Sequence, residues 1–306
     1  MNDMTTTPAA SNPGPTVSVV LGSFNRRWYL QQAIACLRRE LAGIAAEIIV
    51  VEGGSTDGSV PWLARQKDVL LILQHNRGTW QGRPLERRTW GGFMNLAMKA
   101  ARGKYVLMIS DDCLLDAGAL ASGLTEFEQA ASEGRNLGGL AFPFLEWPTI
   151  QQLWVRKVFG QVYVNHGLFL RSALEQVGWI DEGFEFYYAD FDLCLRLLQA
   201  GYHIEVARGA RALHSYHANT YLRKDNRDRA QGDRKRLLAK WSAVWPNADP
   251  AQLNQWEYRE GHVTPALLRV FERRWRSPAF ARYAIATYGK AWLREWIGRW
   301  QGLWKA

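Results

Sequence analysis

From Thr16 to Asp112 short apolar runs alternate with amphipathic stretches, and that alternation constrains the fold more than any other feature, although no internal sequence repeat is visible. The runs are "TVSVVLGSF", "EIIVVEGGSTDGS", "VLLILQHNRG" and "KYVLMISDD", and the amphipathic stretches lie around residues 29–39, from about Val60, and around residues 89–101. Each run is nearly continuous in leucine and β-branched residues, the pattern of a strand covered on both faces. The order βαβαβαβ predicts parallel strands joined by right-handed crossovers, hence a doubly wound α/β sheet. Ligands bind such sheets outside the carboxyl ends of the strands. Here those ends read Gly22-Ser23-Phe24-Asn25-Arg26, Glu52-Gly53-Gly54-Ser55, Asn76-Arg77-Gly78 and Ser110-Asp111-Asp112, so polar, acidic and glycine residues collect on one edge.

Beyond residue 116 the pattern is less regular. A helix is expected to about Glu133, strands near "LGGLAFPF" and "QVYVNHGLFLR", a helix across "YYADFDLCLRLLQAG", and a last strand pair, "HIEVA" and "ARALH". In a helix over 187–200, Phe191, Cys194, Leu195 and Leu198 form a buried stripe, Asp190 stands at its start, and Asp192 and Arg196 make a structural i,i+4 pair. The first 15 residues, "MNDMTTTPAASNPGP", are expected to be a disordered lead-in. They show neither the basic start nor the apolar core of a signal peptide, and no uninterrupted apolar run long enough to span a bilayer occurs. Cys36, Cys113 and Cys194 are odd in number, far apart and free of CxxC spacing, so neither a disulfide framework nor a zinc site is indicated, and a reducing, cytoplasmic setting is expected.

The net charge of +9 is unevenly placed: residues 1–219 carry 20 Lys and Arg against 21 Asp and Glu, residues 220–306 carry 18 against 8. Eight of the fifteen tryptophans also fall after residue 220, which puts a boundary there and suggests an anionic surface as partner. Within that tail Trp292, Trp296, Trp300 and Trp304 recur every four residues, and Lys290, Arg294, Arg299 and Lys305 surround them. On a helix the four share one broad face, suited to the interface of an acidic membrane or to packing against the catalytic domain or a second subunit.

Single motifs carry bland alternatives. Paired acids at a strand end suit a turn or a helix cap, "VEGGSTDGS" suits a glycine turn with Ser55 or Asp57 capping the next helix, and Asp190 suits a helix N-terminus. A lone strand-end histidine such as His214 is more often structural than a ligand. Order and spacing weigh against these alternatives taken together. "VSVVLGSFNR", "VVEGGSTDGS", "NRG" at 76–78, "GFMNLAMKAARGKYVLMISDD" and "GWIDEGFEFYYADFDLCLRLLQAGYHIEVARGARALH" occur in the order of a family 2 glycosyltransferase, and over residues 16–217 the chain resembles bacterial, rhamnosyltransferase-like members that build surface polysaccharide.

The resemblance implies a GT-A fold, a Rossmann-like doubly wound mixed sheet spanning 16–220, followed by a basic helical extension at 221–306. It implies inverting transfer from a nucleotide-sugar to a saccharide, lipid-linked or protein hydroxyl. Ser23, Asn25 and Glu52 would hold the nucleoside, Asp111 would reach the ribose, and Asp112 with His214 would bind Mn²⁺ or Mg²⁺, His217 being a weaker rival. Asp190 would be the catalytic base. Two positions depart from the pattern: Ser110 stands where the first acid of the DxD motif belongs, and Ala189 replaces the first of a usual Glu-Asp pair. A non-catalytic binding or scaffold protein on the same fold is the alternative. A nucleic-acid partner is not expected, because the first 219 residues are slightly acidic and carry no reader motif. Peripheral attachment to the inner face of the cell membrane through 280–306, and an oligomer, stay open.

Overall fold

The structure, a computed structural model, describes residues 14–288 apart from 77–78, 148–149, 216–219 and 246–248. Most of the lead-in, His217 and the four-tryptophan segment lie outside the described residues. The alternating stretch yields β1 (Val17–Ser23), α1 (Arg27–Glu40), β2 (Ala46–Glu52), α2 (Ser59–Leu63), β3 (Val69–Leu73), a short hairpin of β4 (Thr79–Trp80) and β5 (Arg83–Pro84), α3 (Trp90–Ala100) and β6 (Tyr105–Met108). β1 runs parallel to β2 and β6, and β2 parallel to β3. Strand alternation sends Val17, Val19 and Leu21 into a core with Leu30, Ile34 and Leu37 of α1, while Val20 packs with Met94, Ala97 and Met98 of α3 on the other face. Both faces of β1, β2 and β6 are therefore buried, which is why these strands read as continuous apolar runs, whereas β3, at the sheet edge, leaves Leu70 and Leu73 exposed, contrary to the sequence reading.

The remaining elements are β7 (Cys113–Leu115), α4 (Ala119–Ser132), β8 (Leu137–Ala141), β9 (Phe144–Trp147), β10 (Ile150–Val158), β11 (Gln161–Val162), β12 (Gly167–Leu170), α5 (Arg171–Gln176), α6 (Ala189–Gln199), β13 (His203–Val206), β14 (Ala212–Ser215), α7 (Thr220–Trp241), β15 (Gln255–Arg259), α8 (Pro265–Trp275) and α9 (Pro278–Tyr288). The main sheet has the order β13-β8-β12-β6-β1-β2-β3, with β12 antiparallel to both its neighbours, so the sheet is mixed. A second sheet runs β11-β10-β9-β14-β7, and β15 adds to β10.

Three further details differ from the sequence reading. "LGGLAFPF" is not one strand: the chain leaves β8 at Phe142-Pro143 and enters the second sheet as β9, proline having no N–H to continue a ladder. "HIEVA" and "ARALH" do not pair with each other, since β13 joins β8 and β14 lies between β9 and β7. β10, the long strand of the second sheet, was not expected at all.

The described residues after 220 include helices that pack against this frame. On α7, Asp233, Leu237 and Trp241 are spaced i, i+4, i+8 and form a buried stripe. Phe280 of α9 is fully buried, its ring 5.6 Å from Trp28 and 5.8 Å from Tyr29 of α1. No helix among the described residues is long and apolar enough to cross a membrane.

Candidate functional site

The strand ends of the main sheet open onto a crevice of about 550 Å³. Its floor is Gly22, Ser23, Ile109, Ser110, Asp111 and Asp112, and its far wall is Arg156, Tyr163, Asn165, Asp190 and His214, with an aromatic lip at Phe186, Tyr187 and Tyr188. The turns after β1 and β2 are locked together. The Asn25 amide donates to Ser55 Oγ at 2.7 Å, the Thr56 amide donates to Asn25 Oδ1 at 2.9 Å, and Asp57 accepts from the amides of Arg27 and Ser59. Asp57 thus satisfies free N–H groups at the starts of α1 and α2.

Glu52 belongs to the same knot. Its buried carboxylate accepts from the amides of Gly54 at 2.7 Å and Ser55 at 3.0 Å, and from the Ser55 hydroxyl. Gly54, at φ +83°, supplies the left-handed turn that aims its amide back at the strand end. Glu52 and Asn25 therefore shape the turn beside Ser23 and Gly53 and do not themselves line the crevice.

Asp111 and Asp112 sit three and four residues beyond the end of β6, and both are buried. Arg26 Nη1 reaches across them, 2.8 Å from Asp111 Oδ1 and 3.0 Å from Asp112 Oδ2. Burial raises the Asp111 pKa to about 6; Arg26 opposes that rise and the neighbouring Asp112 charge adds to it. His214 Nε2 lies 3.5 Å from Asp112 Oδ1, on β14, which the Ser215 amide ties to the Asp112 carbonyl at 2.9 Å. The two predicted metal ligands are thus adjacent, although 102 residues separate them.

Asp190 is in the first turn of α6, as the sequence places it. Asn165 Nδ2 donates to its Oδ2 at 3.3 Å, and the Phe191 amide to its Oδ1 at 3.1 Å. Burial raises its pKa, against the Asn165 hydrogen bond and the Arg156 charge. Asp192, on the inner side of the helix, accepts from Arg196 Nε at 2.8 Å, the expected pair, and also from Trp241 Nε1 at 2.9 Å, with Lys240 Nζ 2.8 Å away. α7 secures the lip as well: Asp233 accepts from the amides of Glu185, Phe186 and Tyr187 at 2.7–2.9 Å. Arg236 and Lys240 reach Asp181, and Arg229 reaches Glu185. Part of the basic excess after residue 220 therefore neutralises acids of the preceding block.

The residues that sequence reasoning missed are Arg156, Tyr163, Asn165 and the lip, along with Arg87 and Arg88 near the crevice mouth. Arg156 and Asn165 sit in or beside strands with no motif around them. The stripe Asp233, Leu237, Trp241 was the one available signal, hidden in a run of lysine and arginine.

The architecture is that of an α/β protein with a strand-end acid pair and a second carboxylate facing it across one crevice. Residues 18–134 match the family model "Glycosyl transferase family 2", and the mixed sheet with its flanking helices has the GT-A fold. Among solved structures it is similar to a crystal structure of S. aureus TarS, with TM-score 0.50 and 13% identity over 67% of this chain. It is also similar to S. aureus TarS 1–349 in complex with UDP-GlcNAc, with TM-score 0.48 and 12% identity over 65% of this chain. The chain spans 38% of the first and 58% of the second, and at 13% identity the likeness to the first is one of fold. No curated protein matches the sequence.

Proposed function

We propose that this glycosyltransferase transfers a sugar from a nucleotide-sugar to an acceptor hydroxyl with inversion, assisted by a divalent cation, in the synthesis of bacterial surface polysaccharide or glycoconjugate. One observation carries the reading: Asp111 and Asp112 face Asp190 across a single crevice whose floor is the switch edge of the main sheet. The chemistry needs an anchor for the diphosphate on one side and a proton acceptor on the other.

Asp190 takes the proton of the acceptor hydroxyl as its oxygen bonds to the anomeric carbon, while the bond from that carbon to the diphosphate oxygen breaks and the nucleoside diphosphate leaves. A raised pKa makes Asp190 a better base, and Asn165 fixes the rotamer. The residues present fit a hard divalent cation: Asp112 Oδ1 and His214 Nε2 are 3.5 Å apart, and buried Asp111 Oδ2 has no hydrogen-bond partner among the described residues. Asp112 and His214 would hold the cation, which would offset the charge developing on the leaving phosphate. The clasp of Arg26 on both acids favours a second reading, in which its guanidinium stands in for the metal.

The test is release of nucleoside diphosphate from UDP-, dTDP- and GDP-sugars with Mn²⁺ and then with EDTA. Turnover of one donor that collapses in chelator and returns with Mn²⁺ or Mg²⁺ supports the first reading, as does its loss in Asp112→Ala. Full activity in EDTA assigns the cationic role to Arg26. Binding without turnover of any donor would leave the scaffold alternative.

A further inference from the structure

A second set of ligating side chains lies behind His214 and uses none of the groups that face the donor side except that histidine. On the second sheet Cys113 of β7 is in register with His214 of β14, and His214 with Glu146 of β9. Residues directly opposite on neighbouring strands leave the same face, so thiol, imidazole and carboxylate form one row across three strands. His166, from the turn before β12, closes over it: its ring is 5.5 Å from that of His214, and its Nε2 is 3.4 Å from Cys113 Sγ. Ligand atoms of Cys113, His166 and His214 all lie within 4.8 Å of one another, and Glu146 Oε1 is 3.7 Å from His214 Nδ1.

Bonds of about 2.0–2.3 Å in a tetrahedron place ligand atoms roughly 3.3–3.8 Å apart, so the Cys113–His166 spacing already suits a shared ion. The donor set also differs in kind from the carboxylates of the floor. A thiolate with two imidazoles selects borderline or soft ions, whereas carboxylates suit Mg²⁺ and Mn²⁺.

We propose that Cys113, His166 and His214 form a site for a thiophilic divalent ion of the Zn²⁺ class, and that this ion inhibits the enzyme by taking His214 from the donor-side cation. A neutral imidazole carries one lone pair for coordination, so His214 serves one site at a time. Cys113 binds as the thiolate, and its proton passes to solvent as the sulfur–metal bond forms. No CxxC spacing announces the site, because its three members come from separate strands and loops.

The binding claim is tested on the metal-free full chain with Co²⁺ as probe. One equivalent is expected to produce the near-ultraviolet absorption of a thiolate–cobalt bond. Cys113→Ser should abolish that band and weaken Zn²⁺ binding, measured against a chromophoric chelator, by at least the roughly 10–100-fold that loss of an outer-shell partner costs. Asp112→Asn should keep the band. His166→Gln, which conserves hydrogen bonding, should weaken Zn²⁺ binding by a comparable factor and covers the case in which the serine variant does not fold. A folded wild type without the band, or Zn²⁺ binding indifferent to Cys113 and His166 but lost in Asp112→Asn, overturns the site.

The inhibition claim rests on the proposed transferase reading and is measured separately. Zn²⁺ added to the Mn²⁺-supported reaction should suppress turnover in wild type and spare Cys113→Ser. A cobalt band in a chain that transfers no sugar would sink the transferase reading and leave the site standing. Turnover equally zinc-sensitive in wild type and Cys113→Ser would sink the inhibition.

Discussion

The two halves of the crevice are built on opposite principles. The side proposed for the donor is made by consecutive strand ends: Ser23 and Glu52 close buried strands, Asp111 follows one, and the turns after β1 and β2 are knotted by contacts such as Asn25 with Ser55 and Thr56. The side proposed for the acceptor is made by segments far apart in the chain. Asp190 is held by Asn165, the lip by Asp233, and α6 by Trp241 and Lys240. The first half is a local construction that a strand-by-strand reading can follow; the second exists only once α7 and β15 have docked.

That contrast is most exposed by Asp192, a fully buried carboxylate that serves Arg196, Lys240 and Trp241 together. Asp192→Ala leaves Lys240 with Asp181, Arg196 with the Val177 and Trp179 carbonyls alone, and the Trp241 indole N–H without its acceptor, and breaking such a buried arrangement costs about 3–5 kcal/mol. Denaturant unfolding should register that loss, while nucleotide binding to whatever remains folded should be little altered. A surface-like effect well under 1 kcal/mol would mean that α7 does not brace α6.

Asp190→Asn keeps the shape and removes the basicity. Turnover should fall by roughly 10² or more with donor affinity nearly unchanged, as steady-state kinetics with separate donor-binding measurements will show. Lost donor binding with intact kcat would move Asp190 to the nucleotide side and erase the division of labour. Asp233→Ala frees three lip amides and should cost about 1–3 kcal/mol. Its kinetic signature is a rise in acceptor KM larger than any change in donor KM; equal rises would place the lip over both substrates.

A smaller effect is expected at Asp181. Burial pulls its pKa up, but the Gly183 amide, Lys240 and Arg236 outweigh that and hold it at about 2, below the ordinary 3.8. A depressed carboxylate pKa adds stability that is complete above pH 3.8 and is lost as pH falls through about 2. The stability gap between wild type and Asp181→Asn should therefore be constant near neutrality and close in that acidic window. A gap that persists below it would mean that packing, not charge, is what the substitution removes.

The smallest effect on the crevice is expected from the four-tryptophan segment. We propose that it attaches the chain to anionic bilayers. A cut at residue 280 would remove buried Phe280 and disturb α1, so the deletion should span 289–306. The full chain should float with anionic liposomes at low salt and the deletion should not, with donor hydrolysis the same in both. A full chain that stays off the liposomes removes the membrane partner.

The legibility of the sequence follows the same division. β1, β2 and β6 could be read because burial on both faces leaves an unbroken apolar run, and the acids at their ends because each run stops abruptly; β3 is an equally apolar run although it lies half-exposed at the sheet edge. Asp112 and His214 could be paired only through the family resemblance, since no spacing links residues brought together by β7 and β14. β10 escaped notice because polar residues interrupt its apolar ones, and Arg156 with it. α7 was legible only as part of a basic helical extension, because three buried positions four residues apart are easily lost among arginines whose partners lie elsewhere in the chain.

Tyr188, the residue just before α6, has φ 66° and ψ −1°, a left-handed conformation that costs an L-residue about 1–2 kcal/mol. Its ring lines the crevice and meets Phe191 at 5.1 Å. Glycine would adopt the same backbone without strain, so Tyr188→Gly should exchange lost ring packing for relaxed geometry and leave the melting temperature within a few degrees, while acceptor use declines. Foldability and function thus make opposite demands on one position, and an engineering campaign that screened for heat resistance alone would be free to discard this tyrosine and weaken the enzyme unnoticed.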